Sequence, residues 1–105
     1  MDNILALSLY RADDVAGQLQ LRFKALRLDQ GLTQQGLARR SGVSLGSLKR
    51  FEATGQISLE SLLHLAQAMG RIDDMYRFAQ SLVPPERLTL DEMPVTAKPR
   101  RGRRT

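Results

Sequence analysis

Three times between Gly31 and Gly70 a hydroxyl residue stands one place ahead of a short apolar pattern, and each pattern closes on a glycine. The pairs are Thr33 with Gly42, Ser44 with Gly55, and Ser58 with Gly70. A Ser or Thr oxygen at an N-cap accepts one of the unpaired N–H groups in a helix's first turn. A glycine past the last turn accepts the left-handed backbone that ends the helix. The punctuation therefore predicts three helices, about Gln34 to Ser41, Leu45 to Thr54 and Leu59 to Met69, joined by tight turns. Gly31 stops a longer helix ahead of them. The fold class that follows is all-α, a compact five-helix bundle.

The longer helix runs from about Ala12 to Gln30, with Asp13 and Asp14 in the first turn, where they suit the positive end of the helix dipole. Val15, Leu19, Phe23 and Leu26 recur at helical spacing and are expected to form its buried stripe. The inner residues of the shorter helices are Leu37 and Ala38, then Leu48 and Phe51, then Leu62, Leu63, Leu65, Ala66 and Met69, with Val43 packed in the turn between the first two. Ile72 and Asp73 introduce a short fifth helix through Met75, Tyr76, Phe78 and Ala79. Past Leu82, Pro84 and Pro85 break any helix. Thr89 to Glu92 matches a capping box that Pro94 limits to about one turn. Three segments result: residues 1–11 as an N-terminal arm or short helix, 12–82 as the helical domain, and 83–105 as a Pro-containing basic tail, expected to be disordered when free. Whether Ile4 to Tyr10 is a helix, an arm or a partner-binding strip stays open.

Composition removes several classes. With 105 residues and no Cys, a disulfide framework, a zinc finger with Cys ligands and a thiol nucleophile are excluded. His64 alone builds no metal site, and it lies between Leu63 and Leu65 without a residue placed to form a nucleophile–base pair. No enzyme, cofactor or metal is therefore expected. No apolar run approaches a membrane span, and the acidic start of the N-terminus is unlike a secretory signal, so the expected location is cytoplasmic, with the nucleoid. Five of the sixteen Lys and Arg residues lie in 98–104, leaving the first 97 residues with eleven charges of each sign. Within that neutral body, residues 20–54 carry a net +5 and residues 55–97 a net −3. A basic two-helix unit is the footprint of phosphate contacts, although helical surfaces also carry solvated Lys and Arg.

From Leu26 to Gly55 the sequence resembles the phage-repressor-like, or Xre-type, helix-turn-helix regulators. The matching residues are Leu26-Arg27, Gly31-Leu32-Thr33-Gln34, Leu37-Ala38, Gly42-Val43-Ser44, Leu48, Arg50-Phe51-Glu52 and Gly55. The resemblance covers about residues 18–70 and implies a domain, usually dimeric, whose third helix enters the DNA major groove. It also implies a structural ion pair between Arg27 and Glu52. With Leu48 and Phe51 facing the core, Leu45, Gly46, Ser47, Lys49 and Arg50 face outward or flank that face. Arg50 suits bidentate readout of guanine, Ser47 a base edge or phosphate, Lys49 a phosphate, and Leu45 a thymine methyl. Gln34 can present its amide, with the helix N-terminus, to a phosphate. Arg39 and Arg40 touch phosphates or are simply solvated. The tail arginines Arg100, Arg101, Arg103 and Arg104 follow a phosphate backbone or enter an A·T-rich minor groove, bind an acidic partner or keep the chain soluble. Relatives often place Gln, Asn or Arg where this chain has Leu45 and Gly46, so direct readout is expected to be sparse and DNA shape to share the work.

The stretch Ser44 to Met75 further resembles HipB-like antitoxins, which accompany HipA-type kinases. That likeness implies a repressor that binds its own operator as a homodimer and holds a kinase toxin, with no membrane partner. The dimer surface is expected around Met75, Tyr76 and Phe78. Two alternatives remain: a stand-alone repressor, or a protein-interaction module with a degenerate reading face.

Overall fold

The computed structural model describes residues 9–92, except the side chain of Leu90. The described residues are all helical, with no strand: α1 (Ala12–Asp29), α2 (Gln34–Ser41), α3 (Leu45–Thr54), α4 (Leu59–Ala68) and α5 (Ile72–Leu82), followed by single 3₁₀ turns at Pro85–Arg87 and Leu90–Glu92. Most of Ile4 to Tyr10 and all four tail arginines, Arg100, Arg101, Arg103 and Arg104, lie outside the described residues.

The caps form as the punctuation predicts. Thr33, Ser44 and Ser58 accept hydrogen bonds from the N–H groups of Gly36, Ser47 and Ser61. Gly42 and Gly55 end α2 and α3 in the left-handed region, with φ of 80° and 81°. The helix ends differ slightly from expectation: Gln30 and Met69 are the C-caps of α1 and α4, not members of them.

The chain divides into two compact units after Ile72. In the first, α2 packs on α3 and α4, and α1 packs on α3. The core consists of Leu37, Val43, Leu48, Phe51, Leu62, Leu65, Ala66 and Met69, all buried. Leu63 and Ala38 are half-buried. Burying aliphatic side chains of this size stabilises by about 1.5–3 kcal/mol each. Phe23 meets Phe51 edge to face, with ring centroids 5.9 Å apart.

The expected stripe on α1 is only half present. Phe23 and Leu26 are half-buried, but Val15 and Leu19 are 49% and 38% exposed, and the one fully buried α1 residue is Arg27. The cause is length. At 18 residues α1 reaches about 27 Å, nearly twice the length of α3, so its first two turns run past the helix they would pack on.

In the second unit, Asp73 and Asp74 occupy the first turn of α5, and Asp74 accepts a hydrogen bond from Arg77. Thr89 and Glu92 close the expected capping box, with Thr89 N–H to Glu92 Oε1 at 2.9 Å and Glu92 N–H to Thr89 Oγ1 at 3.3 Å. Tyr76, Phe78 and Leu82 on α5 are 58%, 65% and 66% exposed.

Candidate nucleic-acid interface

The site is organised around one buried cation. Arg27, at the C-terminal end of α1, spends all three guanidinium nitrogens on protein partners. Nε donates to Glu52 Oε2 at 2.7 Å, Nη2 to Glu52 Oε1 at 3.0 Å, and Nη1 to the Leu32 carbonyl at 2.7 Å. The two side chains are 7% and 5% exposed. A charged pair at this depth is tolerated because each guanidinium nitrogen and both carboxylate oxygens are hydrogen-bonded. The arrangement ties α1, the turn before α2, and α3 together. Gln20 adds a fourth tie, its amide donating to the Glu52 carbonyl at 2.9 Å. Burial pushes the Glu52 carboxyl up, but hydrogen bonds from Arg27 and Gln34 and the charges of Arg27 and Lys24 outweigh it, so the group lies below its ordinary value and is ionised at neutral pH.

Gln34, on the first turn of α2, points its amide Nε2 at Glu52 Oε1, 2.9 Å away. An amide NH2 carries two hydrogens, so one stays available while the other holds Glu52. The negative charge on α3 is thereby enclosed by Arg27 and Gln34 and turned from the helix's outer face.

On that outer face Gly46, Ser47, Lys49 and Arg50 are exposed and Leu45 is half-buried. The alternation follows from Leu48 and Phe51 being buried at helical spacing. The hydroxyls of Ser44 and Ser47 are hydrogen-bonded at 2.9 Å, and Arg50 Nη2 donates to Gln56 Oε1 at 2.5 Å. A shallow concavity between the end of α3 and the start of α4 is lined by Ser47, Arg50, Gln56, Ile57, Ser58 and Ser61. Arg39 and Arg40 are exposed in the last turn of α2, where a positive charge also suits the helix dipole. Sequence reasoning missed Gln56, because its link to Arg50 depends on how the backbone turns at Gly55, and missed Gln20 for the same reason of distance along the chain. Among the described residues no cluster of His, Cys, Asp and Glu is arranged to hold a metal ion, and no helix is long and apolar enough to cross a membrane.

A short helix pair joined by a turn at Gly42, with the second helix presenting a basic outer face from a clamped scaffold, defines a helix-turn-helix domain. Residues 23–74 match the family model described as helix-turn-helix, and this stretch is a domain of the Xre, phage-repressor-like type. The match supports a DNA-binding transcriptional regulator. Comparison with curated proteins and with solved structures gives no match.

Proposed function

We propose that the chain is a sequence-specific repressor that binds its own operator as a homodimer, with α3 as the reading helix. The observation that carries this reading is the outer face of α3: Ser47, Lys49 and Arg50 are exposed while Glu52, the one acid of that helix, is folded inward onto Arg27. Arg50 contacts a base edge, Lys49, Arg39 and Arg40 contact phosphates, and the free N–H of Gln34 joins the α2 N-terminus on another phosphate. Leu45 and Gly46 supply shape and close approach in place of hydrogen bonds. The exposed apolar residues Tyr76, Phe78 and Leu82 of α5 supply the self-association surface. The basic tail, Arg100 to Arg104, adds phosphate contacts or holds a partner.

The further reading is that the protein is the antitoxin of a HipBA-like pair, restraining a HipA-type kinase. It is supported by the likeness of Ser44 to Met75 to such proteins. Fluorescence anisotropy with upstream duplex DNA, across a salt series, tests the first part. Binding that weakens steeply with salt is expected, because phosphate contacts release counterions. A salt-independent signal or none would leave a protein-interaction module instead, the reading that the donor-free Leu45-Gly46 pair favours. Co-purification with the product of an adjoining kinase gene tests the second part, and a chain that purifies alone beside such a kinase overturns it.

A further inference from the structure

Arg50 does not lie loose on the surface. Its backbone carbonyl accepts the Thr54 hydroxyl at 2.8 Å, the Thr54 oxygen accepts the Gln56 N–H at 3.1 Å, and the Gln56 side-chain oxygen accepts Arg50 Nη2 at 2.5 Å. The three bonds close a ring from Arg50 back to Arg50 around the end of α3. Gly55 makes the ring possible: at φ 81° it ends the helix and swings Gln56 back toward the preceding turn. We infer that Gln56 is a positioning residue for Arg50, setting the guanidinium for base recognition before DNA arrives. The inference rests on the reading of α3 as the DNA-contacting helix.

The chemistry of the latch suits that role. A guanidinium carries five N–H groups in a planar fork, so a single bond to Gln56 leaves one complete two-donor edge for the O6 and N7 of a guanine. The acceptor is a neutral amide. It orders the arginine without cancelling the charge that attracts the duplex, which a glutamate at position 56 would do. Ordering a long side chain before binding removes part of the entropy lost on association. Arg27 differs: a buried carboxylate takes its Nε and Nη2, a backbone carbonyl takes Nη1, and the side chain is enclosed in the protein.

The test uses the full chain with Gln56→Ala, Gln56→Glu, Arg50→Ala and the Arg50→Ala/Gln56→Ala double variant. Affinities are measured on a duplex selected by the wild-type protein from a randomised pool and on poly(dI-dC). Gln56→Ala is expected to weaken binding to the selected duplex about three- to tenfold, leave poly(dI-dC) binding nearly unchanged, and cost nothing further in the Arg50→Ala background. In the DNA-free protein, nitrogen relaxation of the Arg50 Nε should show greater motion in Gln56→Ala, with rigidity kept in Gln56→Glu. Unchanged Arg50 relaxation overturns the inference, and so does an equal loss with and without Arg50, which would make Gln56 a DNA contact in its own right. A wild-type protein that binds neither DNA removes the DNA-reading premise, while the relaxation measurement still decides whether Gln56 holds Arg50.

Discussion

Arg27 and Glu52, 25 positions apart in the chain, form a two-bond fork of 2.7 and 3.0 Å with both side chains buried. The fork joins α1, the longest helix of the first unit, to α3. It ties the orientation of α3 to a buried pair that also holds the Gln34 amide of α2.

Removing one member of the pair strands the other. Glu52→Gln leaves the Arg27 charge buried without its counter-ion, and Arg27→Met does the same to Glu52. Each change is expected to lower unfolding stability by about 3–5 kcal/mol in urea titrations. Arg27→Met combined with Glu52→Leu should cost less than the two single changes added, because no charge is left unpaired.

The depressed carboxyl of Glu52 makes stability depend on pH. Its folded pKa lies below its unfolded value, so at acidic pH the unfolded chain binds the proton first. The contribution is complete above the ordinary glutamate value and is lost as pH falls from about 5 through the lower folded value. Urea midpoints measured from neutral pH downward should fall in this window. Part of that fall should vanish in Glu52→Gln.

Gly46 in α3 and Gly55 at its C-cap should respond in opposite directions. A Cβ at Gly46 would meet nothing within 4 Å and the residue is helical, so Gly46→Ala should stabilise by about 0.4–1 kcal/mol, chiefly by restricting the unfolded chain. At Gly55 the backbone has φ +81° and a Cβ would lie 3.0 Å from Gln20 Oε1. Gly55→Ala should therefore destabilise by about 1–2 kcal/mol, measured as a loss in thermal midpoint.

Arg50 and Lys49 should separate in binding assays. Arg50→Ala is expected to cost about 1–3 kcal/mol on the preferred duplex and to relax preference at one position. Lys49→Ala should weaken all duplexes alike and reduce the salt slope by about one. Titrations at several salt concentrations distinguish the two.

The helices of the first unit were legible because their ends are local. Thr33, Ser44 and Ser58 cap N–H groups three positions on, and such contacts are written in neighbouring letters. The α1 stripe was not legible, since whether Val15 and Leu19 are covered depends on how far α3 extends beside them. Periodicity records which face is apolar and says nothing of where the neighbour stops. The Arg27 fork was reachable only through family likeness, because an arginine among Leu26 and Leu28 gives no local sign of a partner on another helix. The outward positions of α3 followed from the buried ones by geometry. The Arg50 latch did not, since it needs the backbone path through Gly55.

Gly46 sits in open space on the exposed side of α3, while Leu48, Phe51 and Glu52 hold the helix from its inner side. A Cβ added there has open space around it. On the proposed reading of α3, a change at this position can thus alter target preference with no clash at its Cβ. In evolutionary terms α3, on the proposed reading, is a fixed handle with an unwritten key.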